Sequence, residues 1–171
     1  MKYVKWLFVV TIISSLISFV DKDKATEGLS VGDIAPNFKI ETMSLPTESK
    51  LIQLNTLRGK CVLLSFWASY DAQSRMENVS LNNVLRSARN KVVMVSISFD
   101  DYRSIFEETI HNDKIVASVC SLETEGAKSD VFKKYRLNRG FTNYLLDGNG
   151  KIIAKDISAV ELSSYMNSIK I

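Results

Sequence analysis

The sequence predicts an α/β domain built on a mixed sheet, and three stretches carry the prediction. Cys61 to Trp67 is an apolar run of the length a strand covered on both faces needs, and it passes through small and polar residues into a helix-like pattern. Val92 to Ser98 is a second such run after that helix, so strand, helix and strand alternate as in a βαβ unit with parallel strands. Between Thr142 and Lys155, Asp147-Gly-Asn-Gly150 supplies the turn chemistry of an antiparallel hairpin.

The remaining elements follow in order. Pro36 favours an extended neighbour, and Phe38 and Ile40 alternate toward one face as an edge strand would. Leu51 to Leu57 leads into Arg58-Gly59-Lys60, a turn delivering the chain into Cys61 to Trp67. The helix after that strand is expected from Ala72 or Ser74 to Ser87, with Met76, Val79, Leu81, Val84 and Leu85 as most of its apolar face. Asp100 and Asp101 end the second strand. Tyr102 to His111 and Ala127 to Tyr135 read as helices, Ile115 to Cys120 as a short strand, and Ser158 to Ile169 as a final helix covering the sheet.

With 171 residues and 46% hydrophobic content, the chain can bury one substantial core. Lys2 and Lys5 precede the apolar run Trp6 to Val20, so residues 1–20 read as a targeting segment, outside the fold. The run is shorter than the roughly 17 to 25 residues of a spanning helix, which favours a secretory signal. No Ala-x-Ala pattern follows it, so an uncleaved anchor stays open, as does a buried first helix of a cytosolic domain. Residues 21–28 are a charged linker and 29–171 the domain. There are 22 basic and 19 acidic residues; without Lys2 and Lys5 the balance is 20 against 19, which leaves no electrostatic footprint for nucleic acid.

Phe66-Trp67-Ala68-Ser69-Tyr70, then Arg75 and Glu77, resembles the active-site turn of thioredoxin-fold proteins, most closely the TlpA/ResA-like envelope thioredoxins. Their usual motif is Phe-Trp-Ala-Ser/Thr-Trp-Cys-x-x-Cys-x-x-Glu. Val31 to Phe38 is similar to the lead-in segment that those proteins share with the AhpC/TSA-related peroxiredoxins, and Thr142 to Lys155 to the family's terminal hairpin. The resemblance spans Val31 to Ile171. It implies a thioredoxin-like fold with helices on both faces of a central mixed sheet, and makes residues 102–135 the TlpA-type central insertion.

Laid on the motif, the two redox cysteines fall on Asp71 and Ser74. Disulfide exchange needs an attacking thiolate and a second thiol to release the mixed disulfide. Neither residue can supply one. Both are preferred helix N-caps, and Ser74-x-x-Glu77 fits a capping box. The cis-proline that the family places opposite the turn is also missing: Phe141 falls there, and the chain's prolines are Pro36 and Pro46. A trans peptide is expected before Phe141.

Cys61 is expected roughly 26 Å along the strand from Ser69. Cys120 ends a short strand, where a lone cysteine is most often a packing residue. A bond between the two is permitted by an oxidising compartment but not indicated by spacing. His111 sits near a helix C-terminus, and no zinc constellation or phosphate-cradling glycine loop is visible. No cofactor is expected.

Two functions are consistent with these residues. One is an exported module, in the periplasm or cell envelope, that binds a protein or peptide partner on the degenerate active-site face: Trp67, Tyr70, Asp71, Ser74, Glu77 and Phe141. It would meet the membrane only through residues 3–20, were they retained. The other is a thiol-disulfide oxidoreductase or peroxidase-type antioxidant working through Cys120 or Cys61. The absence of sulfur at the turn favours the first.

Overall fold

The computed structural model describes residues 26–44, 48–86 and 92–168. The targeting segment, most of the linker, Pro46 and the expected helix ends at Ser87 and Ile169 lie outside the described residues.

A five-stranded sheet runs in the order β5 (Val119–Leu122), β4 (Val92–Ser98), β3 (Cys61–Trp67), β6 (Asn143–Leu146) and β7 (Ile152–Lys155). β3 pairs in parallel with β4, which pairs in parallel with β5. β6 is antiparallel to β3 and forms the terminal hairpin with β7. In β3, Val62 to Trp67 are all buried, as a central strand covered on both faces requires. Leu63 lies over α1 (Ala72–Arg86) and α4 (Ala159–Ser168), in a core shared with Leu81, Leu85 and Leu162. Leu64 and Phe66 face the opposite core, closed by Phe38 and by Val131 and Tyr135 around α3 (Asp130–Lys134). There the Tyr135 ring lies 4.7 Å from Phe66 and 5.6 Å from Phe38, and its hydroxyl donates to the Pro36 carbonyl at 2.8 Å.

Several expectations are corrected. Phe38 and Ile40 do alternate inward, but β1 (Lys39–Ser44) is not an edge of the central sheet; it forms a separate antiparallel pair with β2 (Glu48–Gln53). The apolar face proposed for α1 is only partly right. Met76 is exposed, while Ser74, Asn78 and Asn82 are buried beside Leu81 and Leu85. The polar residues go inward because they have partners: Asn78 accepts from the Ser96 hydroxyl, and Asn82 accepts from the Val116 N–H and donates to the Lys114 carbonyl.

That grip on 114–116 also explains why residues 115–118 are not strand. Lys114 adopts φ 53° after α2 (Arg103–Asn112), and ladder pairing begins only at Val119. The expected helix from Ala127 to Tyr135 is two pieces, a 3-10 turn over Gly126–Lys128 and then α3. Buried Ser129 separates them, donating to the Gly126 carbonyl and capping α3 by accepting from the Phe132 N–H. Finally, the capping box is at α4 and not at Ser74: the Glu161 carboxylate accepts from the Ser158 N–H at 2.8 Å, and the Ser158 hydroxyl accepts from the Glu161 N–H.

Candidate functional site

The site lies where β3 ends. Trp67 closes the strand opposite Ser98, and residues 68–71 turn into α1. Asp71 stands just before the helix and its carboxylate accepts from the Ser74 N–H at 2.8 Å, while the Ser74 hydroxyl donates to the Asp71 carbonyl. Asp71 is therefore a helix cap, and its charge lies at the positive end of the α1 dipole. Ser74 is 5% exposed and inside the first turn. Glu77 does not reach back to it but accepts from Gln73, in a groove between α1 and α4 bordered by Met76, Asp156 and Val160.

Trp67 is fully buried. Its indole N–H donates to Ser96 at 2.8 Å and its ring lies 6.3 Å from Phe106, so it supports the turn from beneath. The expectation that it forms part of a binding surface is corrected accordingly. Burial of the indole against Ser96 of β4 and Phe106 of α2 is the physical reason.

Opposite the turn, the 3-10 turn Leu137–Arg139 and Gly140 carry the chain into β6. Gly140 has φ 121°, a conformation that a side chain would strain although there is open space around it. The Phe66 N–H donates to the Thr142 carbonyl, which holds this loop beside the end of β3. Phe141 stacks on Phe99 at 5.5 Å and meets Tyr70 at 6.4 Å. Tyr70 and Phe141, distant in sequence, thus form one aromatic pair across the turn, with Tyr70 71% exposed.

The principal residue missed by sequence reasoning is Asp100. Read as a strand terminator, it is 2% exposed and organises the turn. One oxygen accepts from both the N–H and the hydroxyl of Ser69, and the other accepts from the Ser98 hydroxyl at 2.6 Å. The signal available was the run Ser96-x-Ser98-x-Asp100, polar at alternate positions within an apolar strand. Arg75, which follows the first turn of α1, forms a two-bonded ion pair with Asp113 at 2.6 and 2.7 Å that ties α1 to the end of α2. Burial, helped by Asp101, Asp100 and Asp71, pushes the Tyr70 phenol above its usual range, so the ring presents a neutral hydroxyl among carboxylates.

Both cysteines are free and neither reaches the turn. Cys61 begins β3 opposite Val92, about 20 Å of strand from Trp67. Cys120 lies on β5 opposite Ser96 of β4, two strands across from β3. Strand spacing and rise then put the two about 16 Å apart, beyond disulfide reach. Burial pushes the Cys61 thiol up, and the Cys120 thiol up to about 11. Only about one Cys120 in a thousand is then thiolate at pH 8. Cys120 should accordingly react with iodoacetamide far more slowly than a free cysteine, with a rate rising tenfold per pH unit between pH 7 and 9. Peptide mass spectrometry over that range checks this, and rapid labelling at pH 7 would contradict it. Among the described residues, no cluster of three metal-ligating side chains occurs and no helix is long and apolar enough to cross a membrane.

No family model matches the chain. It is 23% identical to the thiol-disulfide oxidoreductase ResA of Oceanobacillus iheyensis over 167 residues, 95% of this chain and 84% of the relative. Among solved structures, a thioredoxin-like protein from Parabacteroides distasonis is 36% identical with a TM-score of 0.69, the match covering 84% of this chain and 99% of that one. A thiol-disulfide oxidoreductase from Bacteroides fragilis is 25% identical with a TM-score of 0.68, covering 81% of this chain and 100% of that one. The strand–turn–helix site, the sheet order and these similarities lead to one conclusion: the chain belongs to the thioredoxin-like proteins and is ResA/TlpA-like among them.

Proposed function

We propose that this protein is an exported thioredoxin-like module that has given up disulfide exchange and binds a peptide or protein partner through Tyr70, Asp71, Glu77 and Phe141. The observation that carries the reading is at position 71. Where the ResA-like motif puts its attacking cysteine, a carboxylate caps α1, with buried Ser74 at the position of the second sulfur. Such a turn offers shape, an exposed aromatic pair and charge, but no nucleophile. The half-buried thiol of Cys120, held largely protonated, and the remote Cys61 supply no substitute.

Export rests on residues 1–20, and the partner is accordingly one met in the periplasm or cell envelope. The membrane is involved only if that segment is retained, and nucleic acid is not a partner.

A pull-down from envelope extract tests the reading. The native protein is expected to retain a partner in the presence of dithiothreitol and after iodoacetamide treatment, and Asp71→Ala with Phe141→Ala is expected to lose it. Capture that depends on a free thiol, or that survives the double substitution, contradicts it.

A further inference from the structure

Phe141 meets Tyr70 on one side and on the other lines a cleft of about 610 Å³ between residues 27–36 and the loop 134–142. The two sides differ in charge. Around Tyr70 stand Asp71, Asp100 and Asp101. Bordering the cleft are Arg136, Arg139 and Lys155, all exposed. Among the described residues neither guanidinium has an ion-pair partner, and the Lys155 ammonium lies 5.5 Å over the Tyr144 ring. Of the other charged groups at the cleft, Lys134 pairs with Asp130, while Glu27, Asp33 and Asp156 are carboxylates that keep their charge, Asp33 accepting from the Ser30 N–H and Asp156 from the Thr142 hydroxyl. The donors left to a ligand are thus the two unpaired guanidiniums and the Lys155 ammonium, and a guanidinium's planar fork suits a carboxylate.

We propose that the face takes an extended peptide with an apolar side chain on the Tyr70–Phe141 pair and acidic residues in the Arg136–Arg139–Lys155 cleft. The inference rests on the reading that this face binds a peptide, and adds the charge the partner must carry. Arg139 is two residues from Phe141 and so within about 7 Å of it along the chain. An extended peptide rises about 3.3 Å per residue, so an acid two or three positions from the apolar anchor reaches the guanidinium. The carboxylates around Tyr70 repel acid on the other flank, which gives the peptide a direction.

Fluorescence anisotropy with labelled Ala-Phe-Ala-Asp-Asp and Ala-Phe-Ala-Asn-Asn, each also in reverse order, tests this on the full chain. In one order the Asp peptide is expected to bind about tenfold tighter than its Asn counterpart, the combined weight of two part-exposed ion pairs. The advantage should vanish in Arg136→Asn with Arg139→Gln and shrink at 1 M salt, while Phe141→Ala weakens both peptides. Asn suits position 136 because that residue sits at φ 52°. Arg139→Gln alone should remove about half the effect, so a folding defect in the double variant does not decide the outcome. Equal binding of Asp and Asn peptides, lost in Phe141→Ala, overturns the acidic preference and leaves peptide binding standing. No binding of any peptide overturns both, and an acidic preference that survives the double variant overturns the assignment to this cleft.

Discussion

Asp71→Cys combined with Ser74→Cys is expected to accelerate dithiothreitol-driven insulin reduction by about tenfold over a native protein that leaves it at background. The reason is local. Position 71 stands at the amino end of a 15-residue helix, where the dipole favours an anion, and a thiol moved there from about pH 8.5 toward 7 gains more than tenfold in thiolate at neutral pH. The sulfur at 71 would attack a substrate disulfide and the one at 74 would displace it from the mixed disulfide, leaving the substrate dithiol and an intramolecular disulfide that dithiothreitol reduces. Two features limit the gain. Asp100 and Asp101 remain nearby and oppose the thiolate, and Phe141 still shapes the opposing loop. Losing the Asp71 cap costs about 1 kcal/mol, which the fold should survive. An insulin assay in which the double variant stays at background would show that the turn is no longer competent even with its sulfurs.

Asp100→Ala is expected to destabilise the domain by about 3 kcal/mol, because it strands the Ser69 N–H and hydroxyl and the Ser98 hydroxyl without their buried acceptor. For a domain of this size that is roughly 6 to 12 °C in Tm. Asp100→Asn keeps one acceptor oxygen and should lose about half as much. A second effect separates this role from general packing: because Asp100 holds Ser69 beside Tyr70, Asp100→Ala should also weaken peptide binding. Thermal denaturation with Tm unchanged in Asp100→Ala would remove it from the architecture of the turn.

The elements legible in the sequence were those whose signal is local and strongly patterned. β3 and β4 are uninterrupted apolar runs and fall at the expected residues, and the terminal hairpin follows from Asp147 to Gly150. Where expectation failed, a tertiary partner had overridden the pattern. Asn78 and Asn82 look like surface residues of an amphipathic helix, yet Asn82 is held inside by the 114–116 backbone and the Asn78 carbonyl oxygen by Ser96. Ser129 splits a continuous helical pattern by capping its second half. At the site, the motif register located Asp71 and Ser74, but the burial of Trp67 and the role of Asp100 depend on β4 lying beside β3. Such pairing emerges only once the sheet is assembled. The Tyr70–Phe141 contact is of the same kind, since 70 residues of chain lie between its members.

The central claim is that this thioredoxin-like protein acts without thiol chemistry, and insulin reduction by the purified native chain tests it most directly. With dithiothreitol as donor, the native protein, Cys120→Ser and Cys61→Ser are all expected to follow the uncatalysed time course. Robust reduction by the native protein that disappears in Cys120→Ser or Cys61→Ser would contradict the account and establish a relocated single-thiol mechanism.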